Sequence, residues 1–130
     1  MHPDTLTNII AFESGGNPQA VNRASGASGL IQFMPGTARR LGTTHQQIRR
    51  MPFKQQLGLV DRYFQRFRGR IQTKPDAYMA VLYPAAIGKP NEYALFRRGT
   101  LAYSQNAGLD LNHDGVVTKA EAAKRAGVIQ

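Results

Sequence analysis

The sequence predicts an all-α protein, and three observations carry that prediction. Leu6, Ile9, Ile10 and Glu13, and again Leu57, Val60, Phe64 and Phe67, recur at spacings that line one face of a helix. Thr44, Pro52, Pro75 and Thr118 stand where helical stretches begin, and Gly and Pro punctuate the connections. No segment shows the apolar-polar alternation of a half-buried strand, and no stretch repeats. Helices are expected at 4–14, 35–42, 44–50, 52–68, 75–86, 90–105 and 118–126.

The first helix is the most informative. Glu13 ends its apolar face and is followed at once by Ser14-Gly15-Gly16-Asn17-Pro18, which stops a helix. A carboxylate turned toward a core is costly. Desolvation disfavours its charged form and raises its pKa, which is what an acid needs to donate a proton near neutral pH. Spacing alone also allows a Glu13 that caps a turn or reaches out to solvent at a frayed end. In the second periodic stretch, Arg62, Arg66, Arg68 and Arg70 mostly fall off the stripe, as on a solvated face, and Tyr63, Phe64 and Phe67 read as core. His2 and His45 lack metal-ligand spacing and are expected at the surface.

Beyond the break, Ala24-Ser25-Gly26-Ala27-Ser28-Gly29 is a small-residue loop through which a ligand can approach the backbone. It feeds the apolar turn Leu30-Ile31-Gln32-Phe33-Met34-Pro35, with Gln32 between two apolar neighbours. A buried amide there needs partners, and its donor and acceptor suit a sugar hydroxyl or an N-acetyl group.

Glu13-Ser14, then Asn17-Pro18, then Gly29-Leu30-Ile31-Gln32-Phe33-Met34-Pro35 and Thr37-Ala38 closely resemble the soluble lytic transglycosylase family, whose motifs run E-S, then G-L-M-Q-x-M-P-x-T-A. The family's third motif, usually A-Y-N-A-G, corresponds to Leu82-Tyr83-Pro84-Ala85-Ala86. The Tyr is kept, while Pro84 replaces the Asn and Ala86 the Gly. Tyr78-Met79-Ala80-Val81-Leu82-Tyr83-Pro84 with Gly88-Lys89-Pro90 looks like the bacteriophage branch of that family. The resemblance covers roughly residues 4 to 100.

The resemblance implies an α-helical, lysozyme-like fold and cleavage of peptidoglycan glycan strands between N-acetylmuramic acid and N-acetylglucosamine. It implies that Glu13 protonates the bridging oxygen and then, as base, takes the proton from the sugar's own C6 hydroxyl, leaving a 1,6-anhydro end. Gln32, Met34 and the region of Asn22 would line the sugar site. The Tyr83 hydroxyl would orient Glu13, and Ser14 would support the elbow. Two other readings stand beside it. A goose-type muramidase would hydrolyse the same bond with a second carboxylate, for which Asp61 and Asp76 are the candidates away from the termini. A non-catalytic wall-binding or tail-structural module would keep the fold, and Pro84 favours that reading while Glu13 and Gln32 oppose it.

Composition narrows the setting. A chain of 130 residues suits a single core. With no cysteine, disulfides and thiolate metal sites are excluded. The formal charge of +9 calls for anionic partners. Peptidoglycan is the partner expected; no helix-turn-helix, zinc or RNA-recognition signature points to nucleic acid. No apolar run suits a bilayer span, and Met1-His2-Pro3-Asp4 lacks a signal-peptide pattern, so no membrane insertion is expected. The expected setting is a phage virion or the host cytoplasm before release, with action on the periplasmic wall, as a monomer or as a domain of a larger phage protein.

The C-terminal stretch carries a second chemistry. Asp110-Leu111-Asn112-His113-Asp114-Gly115-Val116-Val117-Thr118-Lys119-Ala120-Glu121 fits the twelve-residue EF-hand loop at each diagnostic position. Asp110, Asn112, Asp114, the Val116 carbonyl, Thr118 through water and a bidentate Glu121 would supply oxygen to Ca²⁺, and Gly115 permits the sharp turn. A loop of this kind in an enzyme is expected to clamp structure, not to take part in catalysis; the alternative is a relic that keeps its turn without metal. The chain is thus expected to comprise a catalytic domain over 1–100 and a packed EF-hand-like segment over 101–130.

Overall fold

The computed structural model describes residues 2–128, so the last two residues of the expected 101–130 segment lie outside the described ones. Two compact units are found, one formed by residues 9–68 and the other by 2–8 with 69–128. Helix α1 (Pro3–Ser14) contributes to each. Along it Ile9 and Ile10 are buried and Leu6 and Glu13 half-buried, so the face read from the sequence does turn inward.

In the 9–68 unit the end of α1 leads through a long loop to α2 (Pro35–Arg40), α3 (His45–Ile48) and α4 (Phe53–Gln65). Helix α2 ends earlier than expected. Thr43 N–H donates to the Ala38 carbonyl and Gly42 N–H to the Arg39 carbonyl, both at 3.0 Å, and Gly42 at φ 83° completes a Schellman stop. Thr44 caps α3 by accepting from Gln47 N–H at 3.2 Å. Helix α4 buries Gln56, Leu59, Val60, Tyr63 and Phe64. Leu57, read as part of that stripe, is half-buried beside it. Tyr63 is the hub of the aromatic packing, its ring centroid 5.5 Å from Phe67, 5.7 Å from Phe64 and 6.1 Å from Phe33. These rings are core, as expected.

The other unit contains α5 (Lys74–Leu82), a 3₁₀ turn (Pro84–Ala86), β1 (Ala94–Arg97), α6 (Leu101–Gln105), β2 (Val116–Thr118) and α7 (Lys119–Arg125). Thr73 caps α5, accepting from Asp76 N–H at 3.1 Å. The helix expected to run to 86 stops at Leu82, because Pro84 has no N–H to continue the ladder. The helix expected at 90–105 is absent as such. Its middle is β1, paired antiparallel with β2 so that Phe96 faces Val117 and Arg97 faces Val116, and only α6 remains helical. The chain is therefore helix-rich with a small two-stranded sheet. Residues 101–128 fold together with 69–100, and α5 packs against α7.

A buried ion pair joins α5 to α7. Asp76 and Lys119 are 2% and 1% exposed. Burial alone would raise the Asp76 pKa, but the hydrogen bond from Lys119 and those from Gly88 and Gln72 N–H outweigh it and hold the carboxyl below its usual range.

Candidate functional site

Glu13 occupies the last turn of α1 and is half-buried. Burial raises its pKa from 4.5 to about 7. Its place at the C-terminal end of a helix acts in the same direction, since the helix dipole there disfavours a negative charge. A carboxyl so placed is poised between its protonated and charged forms near neutral pH, which suits a group that must act first as acid and then as base.

The elbow after Glu13 is held by Ser14. The Ser14 hydroxyl donates to the Leu30 carbonyl at 2.8 Å and lies 3.0 Å from the Ile10 carbonyl, while Gly16 N–H donates to it at 3.3 Å. One side chain thus fixes the end of α1 against the apolar turn that carries Gln32.

That turn is tightly specified. Gln32 has φ +58°, a left-handed backbone that a non-glycine residue adopts at some cost. Its amide nitrogen donates to the carbonyls of Gly29 at 2.9 Å and Ala20 at 3.3 Å. Both amide hydrogens are therefore used within the protein, and the group Gln32 can offer a ligand is its Oε1 acceptor. Asn22 is exposed, and its Oδ1 accepts from Ala24 N–H at 3.0 Å and Ser25 N–H at 3.3 Å. It is the hinge of a turn before it is anything else. Met34 is 48% exposed just ahead of α2, an unusual position for a large apolar side chain. The structure thus brings Glu13, Ser14, Asn22, Gln32 and Met34 into one unit. Tyr83 belongs to the other unit, half-buried, with its ring 5.8 Å from that of Phe96 in an edge-on arrangement.

Gln56 is the residue that sequence reasoning missed. It is fully buried on α4, where Oε1 accepts from Leu30 N–H at 2.8 Å and Nε2 donates to the carbonyls of Ile48, at 3.0 Å, and Pro18. Two loop segments and the end of α3 are thereby tied to one helix. Gly29 has to be glycine for the same reason: at φ +86°, a Cβ there would lie 2.5 Å from Gln56 Oε1 and 2.9 Å from Ile48 Cγ2. The signal was available, because Gln56 stands three, four and seven residues before Leu59, Val60 and Tyr63 on the buried face. His45, expected at the surface, is half-buried, and its Nδ1 has no hydrogen-bond partner.

The two candidates for a second catalytic carboxylate differ in their surroundings. Asp76 is engaged by Lys119, Gly88 and Gln72. Asp61 is exposed on α4 and accepts from Gln65 at 3.1 Å.

The loop 110–121 gathers oxygen. One carboxylate oxygen from each of Asp110, Asp114 and Glu121 lies within 4.8 Å of the others. Asp110 is buried; its Oδ2 accepts from Gly115 N–H at 2.9 Å and from the Tyr103 hydroxyl, while Oδ1 has no hydrogen-bond partner. Glu121 forms a capping box with Thr118 and also accepts from Leu111 N–H at 2.9 Å. Asn112 lies beside Asp114, and Val116 in β2 donates its N–H to Asp114 Oδ1 at 3.0 Å. A buried acceptor without a donor, in a ring of carboxylates, is a donor set that fits a hard cation.

Among known proteins, the profile of the Transglycosylase SLT domain family matches residues 1–58. Two curated relatives, each named "Endo-type membrane-bound lytic murein transglycosylase A" and each from a strain of Klebsiella pneumoniae, are 55% identical over 38 residues. That stretch is 29% of this chain and spans 18% of theirs. No solved structure matches the chain.

Proposed function

We propose, from the match of residues 1–58 to the Transglycosylase SLT domain family, that this protein is a peptidoglycan lytic transglycosylase with Glu13 as its single acid-base residue. Glu13 protonates the oxygen between N-acetylmuramic acid and N-acetylglucosamine, and positive charge develops on the departing ring. The carboxylate then removes the proton from the C6 hydroxyl, whose oxygen closes onto C1 and gives the 1,6-anhydro end. The observation that carries this reading is the half-buried Glu13 with its pKa raised to about 7. The Gln32 Oε1 acceptor and the exposed Met34 offer a polar and an apolar contact for the sugar. Asn22 shapes the turn beside them.

The same reading disfavours hydrolysis. Two-carboxylate glycosidases need a second carboxylate to activate water or stabilise the cation, and in the 9–68 stretch the acidic residue besides Glu13 is Asp61, exposed on α4 and outside any family motif. The engagement of Asp76 by Lys119 weighs against the other candidate. Mass spectrometry of digested peptidoglycan tests the proposal. Anhydromuramic ends are expected; reducing ends would make the protein a hydrolase, and intact glycan a non-catalytic module.

The setting we propose is degradation of the cell wall by a bacteriophage, supported by the likeness of residues 78–90 to that branch. The wall lies in the periplasm, and no helix of the described residues is long and apolar enough to cross a membrane. We further propose that loop 110–121 binds Ca²⁺ through Asp110, Asn112, Asp114, the Val116 carbonyl, Thr118 through water and Glu121. The cation would neutralise converging carboxylates and hold β2 and α7 in place; no step of the bond cleavage passes through it.

A further inference from the structure

We propose that Lys119 is a positioning residue that joins loop 110–121 to the segment Tyr83–Lys89, so that calcium binding in the loop is registered at that segment; the proposal rests on the calcium reading above. A lysine is almost never fully buried without a specific partner, and Lys119 is 1% exposed. Each of its three ammonium hydrogens has an acceptor: Asp76 Oδ1, the Lys89 carbonyl at 2.8 Å and the Ala86 carbonyl at 3.1 Å. Asp76 closes the arrangement by accepting from Gly88 N–H at 2.9 Å. The turn 86–89 is therefore held from both sides by one ion pair. It begins three residues after Tyr83, the residue kept from the family's third motif.

The other end of Lys119 lies inside the loop. It stands between Thr118 and Glu121, the last two candidate ligands, at the start of α7. Its backbone N–H donates to the Tyr93 carbonyl, and Ala120 N–H to the Asn91 carbonyl, both at 2.9 Å. Whatever moves the 118–121 backbone moves the anchor of residues 86–93. Stability alone does not account for the pair, because a buried ion pair replaced by well-packed apolar groups is often no less stable. An ion pair adds directional hold on three acceptors, which apolar packing does not reproduce.

The test is a titration of the full chain with calcium chloride, followed by calorimetry and by amide resonances. Gly115 reports the loop, and Gly88 and Lys89 report the segment. In the unaltered protein all three should shift over one calcium range. In the double variant Asp76→Asn, Lys119→Met, which leaves no unpaired buried charge, Gly115 should still shift while Gly88 and Lys89 lose their response. Gly115 responding without Gly88 and Lys89 in the unaltered protein overturns the coupling and leaves the calcium site standing. An undiminished response in the double variant overturns the role of Lys119. Absence of any calcium response at Gly115 overturns the calcium reading and the coupling with it. Should the double variant not fold, the Lys119 ammonium resonance of the unaltered protein decides: it should shift over the same calcium range, and a resonance that does not shift overturns the role of Lys119.

Discussion

The Ser14 hydroxyl donates to the Leu30 carbonyl at 2.8 Å, so the residue directly after the proposed acid is fixed to the turn that presents Gln32. Ser14→Ala removes that bond and leaves the rest of the packing. The bond accepted from Gly16 N–H is lost with it, so the stability loss should be about 1–2 kcal/mol, the net worth of two hydrogen bonds. Cleavage should fall by about tenfold or more, because small displacements of a catalytic group cost more in rate than in stability. Turbidity clearance of purified peptidoglycan, set beside a melting curve, separates the two effects. A rate that drops only as far as the folded fraction drops would make Ser14 a plain helix stop.

Glu13 carries two pH dependences of stated sign. As acid it must hold its proton, so cleavage should decline as pH rises through about 7. Its folded pKa lies above the ordinary 4.5, so the folded state binds the proton more tightly, and its stability falls as pH rises from 4.5 to about 7. Glu13→Gln should abolish cleavage with unchanged circular dichroism. The variant should match its parent in melting temperature below pH 4.5 and exceed it above pH 7. Equal melting temperatures at all pH values would show that the carboxyl is not desolvated.

Metal removal acts on stability. With calcium at a hundredfold excess over its dissociation constant, the loop should gain about 2.7 kcal/mol by mass action, so chelation should lower the melting temperature. Glu121→Gln removes one proposed bidentate ligand and should reproduce the chelator effect. Below the melting point of the metal-free form, glycan cleavage should continue. Full inactivation of a protein that is still folded would place the metal in the catalytic machinery.

Tyr83→Phe separates packing from chemistry. The ring keeps its edge-on contact with Phe96, so the melting temperature should be unchanged. If the hydroxyl serves the reaction, turnover should fall by about tenfold, within reach of acid-base effects. An unaltered rate would leave Tyr83 as a half-buried packing partner of Phe96 alone.

Much of the candidate site was legible because its signals are local. Glu13 on the inward face of α1, the stop after it and the glycine loop are set by helical spacing and by φ preferences that travel with the residues themselves. The EF-hand pattern is equally local, since a twelve-residue loop supplies its own donors. Gln56 was harder to read. A polar residue on an apolar stripe was visible, but its acceptors at Pro18 and Ile48 and its donor at Leu30 are brought to it only by folding.

The sequence by itself determined that helices dominate, that Glu13 turns inward and that one loop concentrates oxygen, because side-chain periodicity and turn chemistry act over a few residues. Tertiary structure decided that Ala94–Arg97 is a strand, since strand identity there comes from the partner Val116–Thr118 and not from its own alternation. It also decided that Asp76 is spent on Lys119, 43 residues away. A buried charge declares its partner only when the chain closes around both, and neither neighbour sequence announces the other.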